Sequence, residues 1–205
     1  MPVTDRMRRM RTLLWSLVAI ALLGIGAWWA VREYTPPRTE NIAPREAAYA
    51  KPFSLVNYDG QMVTEADFLG KPSAWFFGFT HCPDVCPTAL AEMTLLLKEL
   101  GPDADKIRVV FVTVDPARDT PQVMKAYVEY FDKRIIGLSG DEASVARMAK
   151  DRYIHFERVP GSGDNYDMEH TAGIQLVTAA GQFAGTLDGH EDMKVRLAKI
   201  RRLME

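Results

Sequence analysis

Two cysteines are the whole cysteine content of this chain, and they stand four positions apart in Thr80-His81-Cys82-Pro83-Asp84-Val85-Cys86-Pro87. The stretch before them, Ser73-Ala74-Trp75-Phe76-Phe77-Gly78-Phe79, is apolar and aromatic, the pattern of a buried strand. The stretch after them, Thr88 to Leu100, carries apolar residues at helical spacing. The pair therefore belongs to a strand-to-helix turn, where rigid elements hold a site open to solvent. Backbone N–H groups at the start of such a helix favour negative charge and would lower a thiol pKa there. Thiolates are the nucleophiles of disulfide exchange and also soft ligands for copper or zinc, so the chemistry is redox, metal binding or both. The bland alternative is a structural disulfide, but closing so short a loop constrains the unfolded chain least.

Other residues able to do chemistry are few. His170 precedes an apolar strand pattern and reads either as a loop residue bonded to backbone or as a third ligand. Met168, two positions earlier, offers a soft thioether, although a gap-filling core role suits methionine better. Asp115 follows a buried strand, a position where carboxylates serve function in open α/β sheets; its alternative is a turn role with Arg118 and Asp119. Asp84, between the cysteines, is placed to cap the following helix. His81 points away from the thiols if the turn is extended. His155 reads as structural, and His190 lies in a loop near Asp188 and Glu191.

The elements that must position these residues alternate along residues 52–205. Phe53–Val56 and Met62–Thr64 flank the turn residues Asn57-Tyr58-Asp59-Gly60, a hairpin pattern. The Ser73–Phe79 strand and the helix to Leu100 follow, with Gly101-Pro102 as the stop. Ile107–Val114 is β-branched and nearly continuous, hence a central buried strand. Then come a helix opened by Pro121, a short strand at Ile135–Leu138, a helix at Glu142–Asp151 and a strand at Tyr153–Val159. A polar Gly-rich loop, Pro160–Asp167, leads to a hairpin of 173–178 with 182–187 and a closing helix at 192–204. This order predicts an α/β fold with a mixed central sheet flanked by helices and an N-terminal hairpin. From Pro52 to Glu205 there are 17 Lys and Arg against 23 Asp and Glu, a net charge of −6 that argues against nucleic acid as a partner.

The N-terminal part is of another kind. Residues 12–31 contain no charged side chain, enough helix to span roughly 30 Å of bilayer core. Arg6, Arg8, Arg9 and Arg11 precede the run, so the positive-inside rule predicts a cytoplasmic tail at 1–11, a transmembrane anchor at 12–31 and the remainder across the membrane. The length of the run and its Trp28-Trp29 end favour an uncleaved anchor over a signal peptide. For a bacterial source the compartment beyond is the periplasm or cell surface, where a free dithiol persists only with a reductant or a metal. Residues 32–51, with Pro36-Pro37 and Pro44, read as a flexible linker.

A cysteine pair after the first long core strand of such a fold resembles the thioredoxin superfamily. Three stretches narrow the likeness: Phe77 to Pro87 with both cysteines, Val112-Thr113-Val114-Asp115-Pro116-Ala117-Arg118-Asp119-Thr120-Pro121, and Tyr166-Asp167-Met168-Glu169-His170-Thr171. Together with an anchor they resemble the Sco/SenC/PrrC family of copper-binding proteins. That resemblance implies a thioredoxin-like fold and a copper site, Cu(I) or Cu(II), formed by Cys82, Cys86 and His170. It also implies a role in assembling the binuclear copper site of cytochrome c oxidase in the inner membrane. The partners implied are the copper-accepting oxidase subunit and a copper donor or thiol reductant. The competing expectation is an enzyme, a thiol-disulfide reductase using Cys82 and Cys86 without need of His170. A thiol peroxidase is a third, in which the distal histidine would stand idle. The sequence leaves open whether Asp115 or water completes the coordination.

Overall fold

Apolar runs that cannot stay in water set the order of elements. The computed structural model describes residues 3–34, 45–161 and 166–205. The chain divides into two units, Met1–Ala43 and Pro44–Glu205. In the first, helix α1 (Val3–Tyr34) takes in the whole uncharged run. Among the described residues no helix is long and apolar enough to cross a membrane. Several side chains within 12–31 lie outside the described residues, as do positions 35–44 of the expected linker.

The second unit runs β1 (Ser54–Asn57), β2 (Met62–Thr64), β3 (Ser73–Gly78), α2 (Val85–Leu100), β4 (Arg108–Thr113), α3 (Pro121–Phe131), β5 (Ile135–Ser139) and α4 (Glu142–Asp151). It continues through β6 (Phe156–Pro160), β7 (Tyr166–His170), β8 (Ile174–Val177), β9 (Phe183–Leu187) and α5 (Met193–Leu203). Among the described residues one sheet has the order β2-β1-β5-β4-β3-β8-β9. Strands β3, β4 and β5 pair in parallel, while β1 and β8 add antiparallel, so the sheet is mixed as expected.

β3 is buried at every position, and Phe76, Phe77, Phe79 and Phe111 are almost wholly enclosed. Each such ring contributes about 1.5–3 kcal/mol by leaving water, which makes this the rigid centre of the domain. Helix α2 packs on the sheet through Cys86, Ala89, Leu90, Met93, Leu96, Leu97 and Leu100, the i, i+3, i+4 stripe of an amphipathic helix. It starts at Val85 rather than Thr88. Pro87 falls in its first turn, where a missing N–H costs nothing, so a proline that suggests a boundary instead sits inside.

Two further expectations are corrected. The end of the expected linker folds: Arg45–Ala50 forms a 3-10 turn with Ala48 and Tyr49 buried. Tyr49 packs against Trp75 with ring centroids 5.1 Å apart and planes tilted by 47°, lies under the Arg152 guanidinium at 4.9 Å and donates its hydroxyl to Gln175. Positions 45–51 therefore belong to the domain, because a single aromatic finds a slot that composition does not reveal. The polar stretch before His170 is not all loop either. β6 and β7 pair antiparallel in a sheet of their own, from Phe156↔His170 to Pro160↔Tyr166; positions 162–165 lie outside the described residues.

Candidate metal centre

The C-terminal ends of parallel strands β3 and β4 open on the same edge of the sheet, where α/β folds place their sites. At the end of β3 the chain leaves the core at Phe79, turns through Thr80 and His81, and enters α2 at Asp84. Cys82 lies in the turn and is partly exposed; Cys86 is the second residue of the helix and is fully buried. The Cys86 N–H, one of the orphan donors of the first helical turn, points at Cys82 Sγ at 3.4 Å.

β7 delivers the third group. Its alternation puts Tyr166, Met168 and His170 on one face, and His170 at its end rests edge-on against Phe76 and Phe79, with centroids at 6.1 and 5.8 Å. His170 Nδ1 lies 3.1 Å from the Thr171 carbonyl, which can only accept, so Nδ1 carries the proton. Nε2 then keeps its lone pair and faces Cys86 Sγ at 3.5 Å. A backbone bond on the far nitrogen is the usual way to fix a ligating imidazole. The ligand atoms of Cys82, Cys86 and His170 all lie within 4.8 Å of one another.

Electrostatics at the site differ from the sequence reading. A helix N-terminus by itself lowers a thiol pKa, but burial dominates at Cys86 and pushes its thiol up. Burial likewise holds His170 below the ordinary histidine range, so its imidazole is neutral at pH 7. Metal binding at Cys86 must displace a proton, because a metal takes the thiolate. Apparent affinity should therefore rise with pH across the neutral range, by about tenfold per unit for each proton released. His170 adds to that slope only in acid, below its depressed pKa. Competition titrations between pH 6 and 8 check this; a flat profile would show that Cys86 is already ionised or not a ligand.

The remaining candidates sort by contact. Asp115 is buried and stands outside the Cys82–Cys86–His170 cluster, holding the Arg118 guanidinium and accepting from Tyr166 Oη at 2.7 Å. Asp84 occupies the N-cap position without a side-chain capping bond, receiving only Thr88 Oγ1 at 3.4 Å. Met168 is buried in the core cluster. His81 is exposed, 3.2 Å from Thr80 Oγ1 and 3.8 Å from Asp119. His155 is exposed, and its backbone N–H bonds Thr171 Oγ1; His190 pairs with Asp188 at 2.9 Å.

Two residues matter that the sequence reading does not single out. Gly78 is the first: a Cβ there would stand 2.7 Å from Cys86 Sγ and 3.0 Å from Phe111 Cε2. A glycine between two phenylalanines at the end of a buried strand is the signal of such a close approach. Asp119 is the second, a fully buried carboxylate that accepts Thr80 N at 3.0 Å and both the Thr80 and Thr113 hydroxyls at 2.6 Å.

Known proteins carry the same fold. A family model described as SCO1/SenC matches residues 42–205. The mitochondrial protein SCO2 of Saccharomyces cerevisiae is 35% identical over 195 residues, covering 91% of this chain and 65% of that protein. A SCO2-like protein of Rickettsia felis is 32% identical over 174 residues, covering 82% of this chain and 85% of its own length. The structure of Bradyrhizobium japonicum ScoI with copper bound superposes with a TM-score of 0.71 at 40% identity, over 75% of this chain and 98% of that one. The central sheet and its helices are thioredoxin-like, as in that protein. On the family match across the whole second unit, and on relatives above 30% identity, the chain belongs to the SCO1/SenC family.

Proposed function

We propose that this chain is a membrane-tethered copper-binding protein that serves assembly of the binuclear copper site of cytochrome c oxidase. One observation carries the reading: Cys82, Cys86 and His170, from two separate segments, converge within 4.8 Å. Two soft thiolates and an imidazole suit copper, Cu(I) above all, and copper outranks zinc at such a site on intrinsic affinity. A closed structural zinc site takes four ligands, whereas the cluster among the described residues holds three. The groove over it, lined by Phe79, Cys82, Pro83, Val85, Met168 and His170, leaves a face through which an acceptor subunit or a copper donor could reach the metal. The bound copper of the Bradyrhizobium relative supports the same assignment.

Within this reading residues 1–11 are a cytoplasmic tail, 12–31 an inner-membrane anchor and the linker that follows leads to a periplasmic domain. The uncharged run inside α1 and the arginines before it support that arrangement. The test is metal analysis of the reduced full-length protein together with its thiolate-to-copper absorption. Stoichiometric copper is expected; no uptake under reducing conditions would refute the assignment.

A second reading has its own support. Cys82 is accessible and Cys86 is buried beside it, the layout of an attacking thiol and its resolving partner. A thiol-disulfide reductase that keeps exported or oxidase cysteines reduced would use these two residues and dispense with His170. Disulfide exchange that survives His170→Ala without change, in a protein that takes up no copper, would establish it instead.

A further inference from the structure

The three ligands come from two segments that share no strand pairing, the thiol turn after β3 and the β6–β7 hairpin. Something must fix one against the other. The loop after β4 touches both. The Asp119 carboxylate holds the thiol turn by two hydrogen bonds from Thr80, which stands two residues before Cys82, and is tied to β4 by a third from Thr113. Thr113 Oγ1 donates to Asp119 and accepts the Asp115 N–H at 2.9 Å. Asp115 in turn receives the Arg118 Nε and, at 2.7 Å, the hydroxyl of Tyr166. Arg118 also donates to the Tyr166 carbonyl at 3.0 Å. The Tyr166 ring is clasped between two guanidiniums, Arg118 at 3.8 Å and Arg158 at 4.1 Å. Tyr166 opens the strand that His170 closes, and both side chains lie on its inner face.

We propose that this chain of contacts, Thr80–Asp119–Thr113–Asp115–Arg118–Tyr166, is a brace that sets the position of the His170 imidazole relative to the two thiols. Arg118, Asp119 and Tyr166 are positioning residues: they act through the segments that bear the ligands. The stretch from Thr113 to Asp119 thereby gains a purpose beyond that of a turn. Three observations support the inference independently of each other. Asp119 is fully buried, and its carboxylate accepts hydrogen bonds from the thiol turn and from β4, while its backbone carbonyl accepts from Ser139 on β5. Arg118 reaches both backbone and ring of Tyr166, and its guanidinium also lies 5.9 Å from Phe79, the ring against which His170 rests. The hairpin has no other hydrogen-bonded strand neighbour in the described sheets.

The inference rests on the copper reading, and its test separates the two. Tyr166→Phe removes the hydroxyl bond to Asp115 and keeps the ring between its guanidiniums. Arg118→Lys keeps the charge and loses the fork. Both are milder than truncation to alanine, which would strand a buried charge. Cu(I) affinity is measured by competition in the full-length protein, for each variant alone and combined with His170→Ala. Groups that orient a ligand are worth about 10–100-fold in metal affinity, and His170→Ala itself sets the ceiling. The expected result is about a tenfold loss with His170 present and no further loss once His170 is gone. Equal losses in both backgrounds would mean general destabilisation, and no loss in either would mean the hairpin needs no brace; each overturns the proposal while leaving copper binding intact. Absence of copper from the unaltered protein would overturn both.

Discussion

Replacing Cys86 with serine is expected to abolish copper uptake, with affinity falling more than about 100-fold. A ligand contributes more than the hydrogen bonds that orient it, and those alone are worth up to about that much. Serine is close in size, and Cys86 is enclosed beside Gly78, so the variant keeps the packing while losing the soft donor. Cys82→Ser should follow it. His170→Ala should behave differently, because two thiolates still satisfy Cu(I) while Cu(II) depends more on the imidazole. Its Cu(II) absorption should vanish or shift, and its Cu(I) affinity should fall by less than that of either cysteine variant. Metal analysis after reduction and a copper(II) absorption spectrum decide the matter. Copper retained by all three single variants would exclude this cluster as the site.

The second large effect comes from a residue with no functional group. Gly78→Ala places a methyl 2.7 Å from Cys86 Sγ, 3.0 Å from Phe111 Cε2 and 3.1 Å from Phe76 Cε1. None of these is the loose end of an exposed side chain; all three residues are buried at 0–1% exposure. Overpacking of this kind costs about 1–3 kcal/mol, and the movable neighbour is the thiol itself. Lower thermal stability and copper affinity reduced by at least about tenfold should therefore appear together. Gly189→Ala is the control, since its Cβ would meet nothing within 4 Å. A Gly78→Ala protein with normal melting and normal copper affinity would show that the thiol has room the structure denies it.

Much of this site is legible in the order of residues alone. An aromatic run, a short turn with two cysteines and an amphipathic segment define strand, turn and helix, because burial of one face dictates local periodicity. The same logic orders β3, β4, β5 and the final hairpin, and the uncharged run that precedes them specifies a helix. Strand β7 is the instructive failure. Tyr166-Asp167-Met168-Glu169-His170 alternates faithfully, yet two of its five residues are acidic and the run follows a Gly-rich loop, so polarity masks the period. Tyr49 misleads in the opposite sense, one aromatic in a Pro-rich stretch that docks against Trp75.

What the sequence determines by itself is the inventory and its local setting: a cysteine pair at the mouth of a buried strand, and a histidine ahead of another. Only the tertiary structure brings His170 to Cys86, across 84 positions, with the imidazole nitrogen that lacks a proton facing the thiol. It alone decides that burial overrides the helix terminus at Cys86, and that Asp115 serves Arg118 and Tyr166 rather than the thiols. The physical reason is common to all three. Periodicity records which residues share a face of one element, whereas desolvation, ligand convergence and charge pairing depend on which faces meet, and that is settled by packing across the whole domain.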